Sequence, residues 1–142
     1  LLADHLIEAN LKGHDSHGIG MIPAYIDSLK AGELKLNAAP RLVSETGSTL
    51  VLDGGVGLGQ SIAHDAIAMG VERAHRHGSA IVALNNSHHI GRIGHWAEQC
   101  AAAGLVSVHF VNVIADPVVA PCGGDCGFCH KPMGAWQDPC RL

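Results

Sequence analysis

Two stretches, His14-Asp15-Ser16-His17-Gly18 and Ser87-His88-His89-Ile90-Gly91-Arg92-Ile93-Gly94-His95, set imidazoles beside hydroxyls and glycines. An imidazole titrates near neutrality, which suits it to moving protons at working pH. In the first stretch Ser16 directly precedes His17, with Asp15 and Gly18 alongside. That pattern fits a proton donor whose tautomer and orientation are set by its neighbours. Metal binding by His14 and His17 is the competing reading, but nothing at zincin spacing supports it and no metal site is expected. Histidines that only cap a helix and its turn are the structural alternative. In the second stretch, backbone amides of a glycine-flanked loop and a helix start favour anions, and Arg92 adds charge toward a phosphate or carboxylate. Neighbouring side chains alternate in extended chain, so His88 and His89 cannot share one role and one of them is structural. His5, His64, His75, His77 and His109 have no chemical neighbourhood and read as surface or hydrogen-bonded core. Trp96 reads as core, and Tyr25 is given no role.

The elements that must position these groups follow from periodicity. Leu2, Leu6 and Ala9 recur at helical spacing before Gly13, so the first cluster sits just past a helix end. Ile22, Ile26 and Leu29 mark a second apolar stripe from Met21 to Ala31, with Pro23 tolerable in a first turn and Gly32 placed to end it. Arg41–Glu45 and Thr49–Asp53, separated by Gly47-Ser48, suit a hairpin. Gln60 to His77, ending at Gly78, is a long helix. Ala80–Leu84 reads as a buried strand that delivers the second cluster at its carboxyl end, where ligands gather in α/β sheets. Ile93, Trp96, Ala97 and Cys100 give a further helix up to Gly104, and Leu105–Val113 reads as a strand. Strand, loop, helix and strand together predict an α/β unit.

Composition narrows the class. The chain has 142 residues, 47% hydrophobic and 15% charged, which is globular. A formal net charge of -4, with no lysine or arginine run, leaves no footprint for nucleic acid. No apolar stretch approaches the roughly 20 residues of a membrane span. Without a charged leader and apolar core at the start, a cytoplasmic location is expected. The chain opens inside a helical pattern without an initiator methionine, so upstream residues are expected.

A glycine-rich turn after Thr49–Asp53 invites a dinucleotide reading. The Rossmann fingerprint needs G-x-G-x-x-G and an acidic residue ending the next strand. Here the order is Gly55-x-Gly57-x-Gly59 and the next strand ends in Asn85. A flexible structural turn is the better reading.

The segment from Ala3 to Pro23 resembles the opening motif of the type-2 malate/L-lactate dehydrogenase family nearly throughout. Ser87-His88-His89-Ile90-Gly91 followed by Gly94 is similar to that family's second signature. The family includes ureidoglycolate, sulfolactate and diketogulonate enzymes, and the resemblance runs from Leu1 to about Gly124. It implies an α/β fold with a non-Rossmann NAD(P) site, incomplete here. It also implies a homodimer, NAD or NADP as cofactor, and hydride transfer between NAD(P)H and a 2-oxo acid to give a 2-hydroxy acid. Matched position by position, His17 corresponds to the acid/base histidine and lies against the nicotinamide, with Ser16 as its hydroxyl relay. His89 matches a second histidine, a proton acceptor in some members. Gly91, Arg92 and Ile93 match a loop that contacts the cofactor. Met21 stands where some relatives carry an arginine for the substrate carboxylate.

After Pro121 the pattern is lost. Four of the five cysteines, Cys122, Cys126, Cys129 and Cys140, crowd this end. Residues 1–121 are therefore expected to form the N-terminal part of the dehydrogenase domain, and 122–142 a divergent tail outside the fold. A zinc module built from these thiols, with Cys140 or His130 as fourth ligand, is the alternative reading of the tail. For the whole chain the alternative is a non-catalytic remnant that binds nucleotide weakly or pairs with a full-length relative.

Overall fold

The structure, a computed structural model, describes residues 1–112. Leu1–Ser107 form one compact unit, and a second begins at Val108. Helix α1 spans Leu2–Leu11. Two short 3₁₀ turns, Asp15–His17 and Ile19–Met21, lead into α2 at Ile22–Lys30. Strands β1 (Arg41–Thr46) and β2 (Thr49–Asp53) make the expected hairpin and pair antiparallel. Helix α3 (Gly59–His77) then crosses to β3 (Ile81–Asn85), which pairs parallel with β2, and α4 covers Ile93–Ala102. The sheet order is β1-β2-β3. The α/β class is the expected one, but the parallel unit is β2-α3-β3 and not the strand, loop, helix and strand that begins at Ala80.

The core follows from which faces meet. Leu50 and Leu52 on β2, Ile62 on α3 and Trp96 on α4 are almost completely buried. Removing each such side chain from water contributes roughly 1.5–3 kcal/mol. A second cluster joins Leu6 of α1, Tyr25 of α2 and Leu34, with Leu2, Met21 and Leu58 packed against it. Helix α3 lies close to β3 because Gly70 presents no side chain, and a Cβ there would come within 2.7 Å of Val82. Gly78 closes α3 with φ +81, a left-handed conformation that favours glycine.

Three further expectations are corrected. The apolar stripe of α2, Ile22, Ile26 and Leu29, is 40–45% exposed. The buried residue of that helix is Tyr25, because the face turned toward Leu6 and Leu34 is the one that carries the phenol. The strand expected to be buried, β3, instead alternates exposed and half-buried positions; among the described residues it is the sheet's outer strand, paired only with β2. Residues 105–112 form no strand, since none of the described strands pairs with them and a strand requires a ladder partner. Val113, the boundary after Pro121 and the thiols of the tail lie outside the described residues.

Candidate active site

The first histidine cluster is held by the end of α1. Asn10, in its last turn, accepts a hydrogen bond from the Ile19 amide through Oδ1 at 2.8 Å and donates through Nδ2 to Asp15. Both 3₁₀ turns are thereby tied to the helix. Gly18 makes this possible: a Cβ at that position would lie 2.2 Å from Asn10 Oδ1. The turns present His17 half-buried, with Ser16 Oγ 2.8 Å from its Nδ1. His14 turns back on its own loop, Nδ1 lying 3.1 Å from the Lys12 carbonyl. Its ring meets that of His17 edge-on, with centroids 6.5 Å apart.

The second cluster leaves the carboxyl end of β3 as expected. Its path is pinned by the glycine-rich turn between β2 and α3. The Gly54 amide donates to the Asn85 carbonyl, the Val56 amide to the Asn86 carbonyl, and the His88 amide to the Gly57 carbonyl. Asp53 Oδ1 receives the Gly55 amide and Asn86 Nδ2, while Oδ2 receives Arg41. The Gly55 amide, then Asn86 and Arg41, hold the Asp53 carboxyl down at about 2. A Cβ on Gly59 would stand 2.1 Å from the His89 carbonyl oxygen. The other glycines of the turn have separate tasks: Gly54 lets the backbone of Asn86 and Ser87 approach, Gly57 makes room for Ile62 and Ala38, and Gly55 holds φ +57.

The two clusters meet. The rings of His17 and His89 lie with centroids 5.1 Å apart, tilted by 35°. His89 Nδ1 is 2.7 Å from Tyr25 Oη, and Tyr25 Oη in turn accepts from Gln60 Nε2 at 2.7 Å. Burial, followed by the nearby His17 and His88, pushes the His89 imidazole down to about 4. His88 sits edge-on to Tyr25 at 5.7 Å, its Nδ1 is buried without a partner among the described residues, and burial lowers its pKa. Ser87 Oγ turns to the His88 carbonyl.

Gly91, Arg92 and Ile93 lie at the start of α4, whose first turn has no side-chain cap. Trp96 Nε1 donates to the Ile90 carbonyl at 3.2 Å and steadies the loop. The Arg92 side chain is only 8% exposed and bridges Glu8 at 3.1 Å and Glu98 at 2.8 Å. Lys12 also reaches both carboxylates, and His95 Nδ1 lies 2.6 Å from Glu8. Hydrogen bonds from Lys12 and then His95 hold the Glu8 carboxyl at about 2. Among the described residues, Glu8, His95 and Glu98 bring possible ligand atoms within 4.8 Å of one another. Two cations already neutralise the two carboxylates, so the group is a closed ion-pair network. His5 completes this region, stacked on His95 with centroids 3.7 Å apart. It is buried, which corrects the surface reading, and its Nε2 has no hydrogen-bond partner among the described residues. Its burial, with His95 nearby, pushes it down to about 4.

Asn10, Tyr25 and Gln60 escape a reading by residue pattern. Tyr25 and Gln60 act through hydrogen bonds between segments distant in sequence, which no local spacing signals, while Asn10 reaches only five and nine residues ahead, to Asp15 and Ile19. A polar residue on the inner face of α3, Gln60 among Ile62, Ala63 and Ala66, is the one cue available.

The sequence profile of the malate/L-lactate dehydrogenase family matches residues 1–129. The chain is 61% identical over 124 residues to hydroxycarboxylate dehydrogenase B of Escherichia coli strain K12, covering 87% of this chain and 34% of that protein. It is 40% identical to the L-lactate dehydrogenase of Cupriavidus necator, covering 87% of this chain and 36% of that one. Among solved structures, a malate/lactate dehydrogenase from Escherichia coli superposes with a TM-score of 0.80 at 60% identity, over 87% of this chain and 34% of the other. Sulfolactate dehydrogenase from Methanocaldococcus jannaschii gives 0.71 at 33% identity, over 85% and 35%. The chain thus spans about a third of the length of the curated relatives it matches. With the profile matched over most of its residues and the two histidine signatures joined in one site, the chain belongs to the malate/L-lactate dehydrogenase family.

Proposed function

We propose that this chain supplies the proton-transfer side of an oxidoreductase site that interconverts a 2-oxo acid and a 2-hydroxy acid with NAD or NADP. The observation that carries the reading is the approach of His17 and His89, from segments far apart in sequence, to 5.1 Å between ring centroids. Bound nicotinamide would supply or take the hydride. As charge grows on the carbonyl oxygen, His17 delivers the proton; in the oxidation direction it removes the hydroxyl proton. Ser16 Oγ, 2.8 Å from Nδ1, orients the ring and relays its proton. His89 stands beside it and stays uncharged at neutral pH.

The residues fit an anionic cofactor at one point. The backbone amides at the start of α4 have no side-chain cap, and Gly91 holds φ +74 beside them. Gly91 and Ile93 would contribute there. Arg92 would contribute its backbone, since its guanidinium is engaged by Glu8 and Glu98. Met21 packs against the Leu6–Tyr25–Leu34 cluster and offers no charge, so the substrate carboxylate would be met elsewhere. A homodimer is part of the same proposal, as is a tail after Pro121 that lies outside the dehydrogenase domain.

A second reading is favoured by the short coverage of the relatives: a remnant without turnover that binds nucleotide weakly or pairs with a longer family member. One experiment separates the two. NADH or NADPH and a panel of 2-oxo acids are added to the 142-residue chain, and to a chimaera in which its matched residues replace the aligned third of Escherichia coli hydroxycarboxylate dehydrogenase B. Loss of nicotinamide absorbance in the chimaera supports the catalytic reading. Turnover by the chimaera with silence from the chain alone assigns the chain itself to the remnant. Silence from both overturns the catalytic reading.

A further inference from the structure

We propose that Gln60 and Tyr25 are positioning residues that lock His89 as the Nε2–H tautomer, so that this histidine donates a hydrogen bond to the substrate oxygen instead of accepting its proton. The inference rests on the proposed function for what His89 faces, but its structural part stands by itself.

The tautomer follows from a count of protons. Gln60 is fully buried, and its amide Nε2 can only donate, so the 2.7 Å contact places an N–H on a lone pair of Tyr25 Oη. A phenol has one proton of its own. Oη lies 2.7 Å from His89 Nδ1, and among the described residues no other acceptor bonds to it, so the buried phenol proton goes there. Nδ1 must then be the bare nitrogen. A neutral imidazole keeps its single proton on the other side, at Nε2.

Reversing the Gln60 amide would reverse the chain. Its Oε1 would accept the phenol proton, and His89 Nδ1–H would donate to Oη. That arrangement would turn both N–H groups of the amide away from Oη, whereas the present one spends one N–H on Oη and leaves Oε1 without a donor. An under-satisfied carbonyl oxygen is tolerated more readily than orphaned donors. Two conditions for the lock are met independently. Burial raises the Tyr25 pKa, which keeps the phenol proton in place, and burial lowers that of His89, which keeps the ring neutral.

The consequence is a division of labour. A neutral Nε2–H polarises an oxygen without surrendering its proton, as neutral imidazole electrophiles do in other enzymes. His17 is then the residue that moves the proton, and His89 holds the oxygen it moves to.

The test reads the tautomer directly. In the uniformly ¹⁵N-labelled chain at pH 7, without cofactor or substrate, long-range proton–nitrogen correlations of the His89 ring should show a pyridine-like Nδ1 and a pyrrole-like Nε2. Tyr25→Phe removes the proton donor to Nδ1 and should move both nitrogens toward averaged values. Gln60→Leu should do the same more weakly, because the phenol keeps its proton but loses its orientation. In the active chimaera Tyr25→Phe should lower kcat about ten-fold, a part of the roughly 10²–10³-fold lost when an oxyanion donor is removed outright. A pyrrole-like Nδ1 in the unaltered chain, averaged nitrogens in the unaltered chain, or a tautomer indifferent to Tyr25→Phe would each overturn the proposal. The tautomer is read without turnover, so a silent chimaera with the expected spectrum defeats the catalytic reading and leaves the lock intact.

Discussion

At the scale of single residues, the site depends on contacts that permit no extra atom and on imidazoles kept neutral. Gly18 lies against Asn10, where an added Cβ would approach Oδ1 to 2.2 Å. Gly18→Ala should therefore push Asn10 off the Ile19 amide and destabilise the fold by about 1–3 kcal/mol, as overpacking does. A fall in urea midpoint with little change in slope would report it, and an unchanged midpoint would contradict it. The neutral imidazoles give a pH signature whose sign is fixed. His5 and His89 are held at about 4 in the folded chain against about 6.5 unfolded. Between those values the unfolded chain binds more protons, so stability rises with pH through this window and is lost as pH falls from 6.5 toward 4. Glu8, held at about 2 against an ordinary 4.5, adds a second loss in the same direction over pH 4.5 to 2. Urea midpoints at pH 7, 5.5 and 4 should decline steadily. A midpoint unchanged between pH 7 and 4 would show that His5 and His89 are not buried neutral.

At the scale of elements, the second cluster is positioned by the turn between β2 and α3 rather than by its own conformation. Gly59 is the closest point of that packing, with a Cβ position 2.1 Å from the His89 carbonyl oxygen. The obstructing atom is backbone and cannot swing aside. Gly59→Ala should displace the loop from α3, lengthen the His89–Tyr25 hydrogen bond and lower activity in the chimaera, while the helical content by circular dichroism stays close to that of the parent. Full activity in that variant would remove the turn from the positioning machinery. The elements themselves were legible because apolar period and terminal glycines are local signals: α1 ends before Gly13, α3 before Gly78, and the hairpin turns at Gly47. The buried face of α2 was not legible. Its apolar residues Ile22, Ile26 and Leu29 form the more conspicuous stripe, yet the helix buries Tyr25, whose partners His89 and Gln60 come from remote segments. For the same reason the histidine pair could be named from its motifs, but the chain of donors that orients His89 could not.

At the scale of the whole molecule, the described unit leaves much apolar surface in water. Ile22, Ile26 and Leu29 on α2, Leu42 and Val43 on β1, and Ile81 on the outer strand β3 are each 40% or more exposed. Among the described residues no strand covers the outer edge of β3, and such an edge is a template for pairing with another chain. The 142-residue chain should bind a hydrophobic dye and self-associate with rising concentration in sedimentation or light scattering, and a sharply monomeric chain without dye binding would contradict this. These surfaces do not bear on the pairing of His17 with His89, which is complete within the described residues. The central claim is that His17 moves the proton, and the most direct measurement is steady-state kcat for the chimaera and its His17→Ala variant with NADH or NADPH and a 2-oxo acid. The account predicts a loss of about 10²–10⁴-fold with the fold retained; a variant that turns over at the parent rate would contradict it.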